Sequence, residues 1–231
     1  VGQLSEFIIV LPVLIVSMVA HEYAHGYAAL RQGDGTAKAM GRLTFNPVKH
    51  IDLWMSVLLP AMLWFGSGGQ FLFGGAKPVP VNPRNYRQYR RGDIIVSLAG
   101  VATNLGLVVA FALLAVGVGI AGTSLGPVGG RGVWAVLQGV MYWGIWFNLL
   151  LANFNLIPIP PLDGSHVLYH LLPPEIALKY RELSRYGILI LLAMIFFFPR
   201  ALYVLLLPAI SIMQVMEAAI RPFALTSFGL F

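Results

Sequence analysis

His21-Glu22-Tyr23-Ala24-His25 closes an apolar run that extends from Phe7 to Ala20. Residues four apart on a helix lie one above the other on the same face, so His21 and His25 offer two imidazole nitrogens to one metal ion. Glu22 points about 100° round the helix from His21 and reaches a water at that metal without being a ligand itself. Two helical histidines with an intervening glutamate are the pattern of a zinc hydrolase site, the glutamate acting as general base. Three ionisable groups within five residues are costly in a membrane-grade segment unless a metal or a paired network holds them.

The rest of the composition agrees with lipid surroundings. Of 231 residues, 58% are hydrophobic and 10% charged, against about 25% charged in a soluble domain. There is no cysteine, so a metal site must draw on His, Asp, Glu or Asn. The net charge of +6 lies in short basic blocks between apolar runs. That is how membrane topology is written, and it is not a nucleic-acid signal. The first apolar segment carries the histidine motif, so it is not read as a cleavable leader.

Five spans are expected, at about Ser5–Arg31, Asp93–Gly122, Val133–Leu156, Tyr186–Phe198 and Ala201–Ile220. Between the first two, Leu53 to Phe65 is apolar but short and contains Pro60, which suits a re-entrant piece. Leu43–Phe45 is β-prone, and Lys77–Pro83 is held extended by its prolines. The expected fold class is an all-α polytopic membrane protein. It has about five transmembrane helices plus a re-entrant helix/β-hairpin region between the first and second spans. Residues 1–231 read as one membrane-embedded domain, with core motifs over 19–168, the re-entrant and β region over 41–83 and C-terminal helices over 186–220.

Positive charge prefers the cytoplasm. Arg31, Lys38, Arg42 and Lys49 follow the first span, and Arg84, Arg87, Arg90 and Arg91 precede the second. Both blocks are therefore expected on the cytoplasmic side of a cell membrane, with the amino terminus outside and the intervening stretch entering and returning. Asp163 then falls at the depth of His21 and His25, towards the cytoplasmic face. A catalytic zinc takes three protein ligands plus water. Asp163 suits the third place, and equally suits the cap of a following helix.

The motif around His21, together with Asn155-x-x-Pro158-x-Pro160-x-Leu162-Asp163-Gly164, resembles the site-2 protease family of intramembrane zinc metalloproteases. Gly41–Asp52, Gly74–Pro83 and Ala99–Leu105 are similar to motifs of its short prokaryotic branch. The resemblance implies one zinc per chain on His21, His25 and Asp163, Glu22 as the base, and Asn155 beside the reacting centre. It also implies substrate contacts from Leu43, Thr44 and Phe45 and from Val79 and Val81, in membrane-inserted β elements. Asn104 either lines the cavity or bonds a neighbouring helix. Val101 replaces a common proline and Gly75 a common aromatic, and no PDZ or CBS domain is expected.

The implied partners are the bilayer and a membrane protein whose transmembrane helix is unwound and cut, with no nucleic acid. Strand addition to the β elements would hold the unwound backbone. The other readings are a non-catalytic client-binding protein, which would be marked by loss of Glu22, and a metal transporter, which would need more polar helices. His166 and His170 are also four apart but have no glutamate between them, and are read as solvated interfacial histidines rather than a second metal site. His50 is read as a surface residue, and Trp134, Tyr142, Trp143 and Trp146 as packing and interface anchors.

Overall fold

A computed structural model describes residues 2–69, 72–125 and 131–225. In chain order the helices are α1 (Gln3–Gln32), α2 (Thr36–Ala39), α3 (Leu59–Gly66), α4 (Tyr89–Leu125), α5 (Arg131–Leu156), α6 (Asp163–Leu171), α7 (Pro174–Glu182), α8 (Gly187–Phe197) and α9 (Pro199–Ile220). No strand is present among the described residues, and the chain is an all-α polytopic membrane protein. Among the described residues, four helices are long and apolar enough to cross a bilayer: Gln3–Gln32, Tyr89–Leu125, Gly132–Leu156 and Arg200–Phe223.

The segment expected over Tyr186–Phe198 differs. It forms α8, of 11 residues, roughly 16 Å long and about half of the bilayer core. Phe198 precedes Pro199, which disfavours helical backbone, and its φ of −128° and ψ of 52° end the helix there. Leu53–Leu58 is a wide π-type turn running into α3. The two together remain too short for a span.

α4 and α5 run antiparallel. Asn104 meets Asn148, Phe111 covers Gly144, and Ala115 meets Gln138, so one number rises as the other falls. Val108, Ala115, Tyr142, Ile145 and Leu149 form their shared core with Ala209 and Met213 of α9. Val10, Val13, Leu14 and Met18 of α1 pack on Phe147 of α5. Among the aromatic residues of α5, Tyr142 is buried, and Trp143 stacks on Phe147 and meets Trp64 edge-on.

The stretch between α1 and α4 leaves and returns at one end of the bundle. Gly33 ends α1 with φ 111°, a left-handed cap that suits glycine. Arg87 N–H donates to the Gln32 carbonyl at 2.8 Å, and Asn82 N–H donates to Asp34 Oδ2 at 2.6 Å. The two expected β pieces lie side by side without a ladder. Pro78 and Pro80 have no N–H to give, and the Arg42 guanidinium donates to the carbonyls of Lys77 and Pro78 at 2.9 and 3.2 Å. His50 also departs from expectation, because it is fully buried. Its Nε2 lies 2.9 Å from the Thr44 carbonyl and its own carbonyl accepts Lys77 N–H at 2.7 Å, so it pins this loop.

Candidate metal centre

His21 and His25 project from one face of α1, as their spacing predicts, and Asp163 arrives at the first residue of α6. His21 Nε2 and His25 Nε2 are 2.9 Å apart. Asp163 Oδ2 lies 3.1 Å from the first and 3.3 Å from the second. Four-coordinate zinc with bonds of about 2.1 Å sets neighbouring ligand atoms about 3.4 Å apart. The three atoms are therefore close to a shared tetrahedral face.

The outer nitrogens of the two rings are already engaged. His25 Nδ1 lies 2.7 Å from the Val96 carbonyl, which can only accept, so Nδ1 carries the proton. His21 Nδ1 lies 2.5 Å from Asn104 Oδ1. The amide orientation follows from its neighbours. Asn148 Nδ2 donates to the Gly144 carbonyl at 2.7 Å and to Ser17 Oγ at 2.9 Å, while Ser17 donates to the Val13 carbonyl at 2.8 Å. Asn148 Oδ1 is thus the acceptor of Asn104 Nδ2 at 2.7 Å, which leaves Asn104 Oδ1 to accept from His21. Both Nε2 atoms consequently turn lone pairs inward. Asp163 Oδ2, though buried beside them, has no aligned hydrogen-bond donor. Three lone-pair atoms converging in this way suit a cation.

α4 supplies the wall behind the rings. Asp93, Ser97, Gly100 and Asn104 recur at four, three and four residues and are all buried, which is one helical face. A Cβ at Gly100 would stand 2.6 Å from the Nε2 of both histidines. Its absence lets the imidazoles lie against the helix backbone. Ser17, Val96, Gly100 and Asn148 are the contributors that motif reading missed. The repeat through Asp93, Gly100 and Asn104 was the available signal; Ser17 and Asn148 look like ordinary polar residues of apolar helices.

Glu22 is half-buried, and its Oε2 accepts the N–H of Val79 at 2.7 Å. The expected substrate edge at Val79 is therefore turned inward, onto the carboxylate. Leu43 and Val79 pack towards Gly26 of α1. Phe45 stacks on Tyr23 with ring centroids 3.9 Å apart yet stays exposed, and Thr44 Oγ1 accepts Asn46 N–H. Val81 is exposed. Asn104 is fully buried and bonded through both side-chain atoms to α1 and α5, as in the helix-bonding alternative. Asn155 donates Nδ2 back to the Leu151 carbonyl of its own helix at 2.9 Å.

The second histidine pair is arranged differently from the first. His166 Nδ1 and His170 Nε2 lie 3.2 and 2.8 Å from one carboxylate oxygen, Asp93 Oδ2. Among the described residues only His21, His25 and Asp163 bring three ligand atoms within 4.8 Å of one another. His170 and Asp93 are buried, so this pair is not simply solvated. The Asp93 carboxylate raises the His166 pKa above its ordinary value, against the opposing effect of burial.

Comparison with known proteins supplies the family. Residues 130–198 match the model of peptidase family M50. A Bacillus subtilis (strain 168) protein named "Putative zinc metalloprotease YwhC" is 38% identical over 196 residues, covering 83% of this chain and 81% of its own length. The chain belongs to peptidase family M50. Rip2 of Mycolicibacterium smegmatis, which carries the same description, is 32% identical over 198 residues, 84% of this chain and 69% of its own. No solved structure matches this M50 metalloprotease.

Proposed function

We propose that this M50 protein is an intramembrane zinc metalloendopeptidase that cuts peptide bonds in or near transmembrane segments of other membrane proteins. The observation that carries the reading is the convergence of His21 Nε2, His25 Nε2 and Asp163 Oδ2, with both Nδ1 atoms committed elsewhere. These three residues would hold one zinc. Zinc, when bound, supplies a Lewis acid for the scissile carbonyl and acidifies water.

The chain's own groups do the rest. Asn104 and the Val96 carbonyl fix the tautomers and raise the basicity of the two imidazoles. Glu22 takes the proton of the attacking water and delivers it to the leaving amine. Val79 N–H holds one oxygen of that carboxylate and leaves Oε1 for the proton. Asn155, turned along α5, has to rotate away from Leu151 to meet a substrate carbonyl. Strand addition along Val79–Val81 has lost its donor at Val79 and its acceptors at Lys77 and Pro78. Substrate contact there falls to the exposed side chains of Phe45 and Val81.

The site is assigned to the cytoplasmic side of a cell membrane, with the amino terminus outside. The return of the chain from Gln32 to Arg87 at one end of the bundle supports this, because it gathers both basic blocks there.

The test is co-expression with a panel of single-span membrane proteins, comparing the native chain with Glu22→Gln. Gln keeps the acceptor for Val79 N–H but cannot act as a base. Cleavage should fall by about 10²–10⁴, with zinc retained. Cleavage by the variant at the native rate would sink the mechanism.

A further inference from the structure

Asp93 is buried near the start of α4 and lies within hydrogen-bond distance of two imidazoles of α6, His166 Nδ1 at 3.2 Å and His170 Nε2 at 2.8 Å. Among the described residues, no lysine or arginine forms an ion pair with it. α6 begins with Asp163, seven residues before His170 on the same helix. One turn beyond Asp93, the Val96 carbonyl of α4 holds His25. Two turns further, Asn104 holds His21. A single helix face thus grips α1 at two points and α6 at a third.

We propose that Asp93 is a positioning residue of the metal centre, clasping α6 through His166 and His170 so that Asp163 meets His21 and His25. This rests on the zinc reading above. The cluster is not itself a second metal site: among the described residues only His21, His25 and Asp163 bring three ligand atoms within 4.8 Å of one another.

The geometry shows why a clasp is needed. Asp163 follows the stretch Ile157–Leu162, whose prolines make it irregular. That stretch has few backbone bonds of its own, Ile159 N–H to Ile157 and Leu162 N–H to Ile159 among them. Helix α6 is nine residues long, too short to be placed by its own stability. The buried end of the clasp is His170, whose side chain is 5% exposed, against 50% for His166. His170 is also walled by Tyr89 and Tyr169, both edge-on to its ring at 5.4 and 5.0 Å. His166 instead faces an open cavity of about 260 Å³ lined by Tyr89, Pro161, Tyr180 and Arg181. The two partners therefore carry unequal weight, and His170 is the one to change.

The test is zinc affinity of the full chain in nanodiscs, measured by competition with a chelator at fixed pH, with no substrate present. Asp93→Ala should weaken zinc binding about tenfold or more. His170→Leu should do the same, whereas His170→Gln, which keeps an N–H near the place of Nε2, should restore most of the affinity. Gln138→Leu is the control for general destabilisation. Gln138 is buried, joins Ala115 and Phe223 at the other end of α4, and touches nothing at the metal centre. It should lower the melting temperature without moving zinc affinity. If Asp93→Ala does not accumulate as folded protein, the two His170 variants decide.

Equal zinc affinity in His170→Leu and the native chain would overturn the clasp while leaving the zinc reading intact. So would an equal loss in His170→Leu and His170→Gln, or a loss in Gln138→Leu matching that of Asp93→Ala. A native chain that binds no zinc would overturn both.

Discussion

Glu22 Oε2 accepts the backbone N–H of Val79 at 2.7 Å, across 57 residues of chain. The carboxylate read as the general base is thus oriented by the same extended piece that the sequence suggests as a docking edge. The two roles make opposite predictions for one substitution.

Val79→Pro deletes that N–H. A hydrogen bond to a charged group contributes about 1.5–3 kcal/mol. Turnover should therefore drop about tenfold or more, equally for a membrane-embedded client and for a short unfolded peptide, because the defect lies at the base. Parallel assays of both substrates check this. A selective loss on the embedded client would restore the docking-edge role.

Gly100→Ala should abolish metal binding. The added Cβ would sit 2.6 Å from Nε2 of both histidines, and at least one ring must leave. Gly106, on the same helix with nothing near its Cβ position, is the control. Gly106→Ala should bind zinc normally, and metal analysis of the two purified variants decides the matter.

Much of this was legible beforehand. The spacing of His21 and His25 placed them on one face, and the later Pro-rich motif brought in Asp163. What stayed hidden depended on partners distant in sequence. Ser17 and Asn148 acquire meaning only because α1, α4 and α5 meet. His50 looked exposed beside Lys49 and Asp52, and is buried because the returning chain closes over it at Lys77. Extended backbone alone does not make a ladder, and Arg42 takes up the carbonyls that the two β pieces would use for one.

Asp34 makes the acid limb of stability testable. It is fully buried and accepts from Thr36, Asn82 N–H and Asn85. Burial acts to raise its pKa, but these hydrogen bonds prevail and hold it below the ordinary value. A folded-state pKa below the unfolded one, about 3.9, stabilises above that value, and the stabilisation is lost as pH falls through the folded pKa. Asp34→Asn should flatten the acid limb of a melting curve taken against pH and cost about 2 kcal/mol at neutral pH. An unchanged acid limb would assign it to other carboxylates.

Sidedness can be read in this cysteine-free chain. Cysteines at Gln32 and Gln88 should both label from the cytoplasm, since Gln32 lies beside Arg87. A cysteine at Ser124, near the far end of α4, should label only from outside. Labelling of Gln88→Cys from outside would reverse the re-entrant path.

The link from Ser17 to Asn148 spans 131 residues, and that distance orders events during synthesis. α1 is made before α4 and α6, and until they follow, its two imidazoles lack the partners they have in the folded chain. Asn104 reaches His21 only when α4 is made, and the third converging atom, on Asp163, is made later still. The chain must therefore be made through Asp163 before the three converging atoms coexist. Until then α1 carries unpartnered ionisable groups, which are costly in lipid.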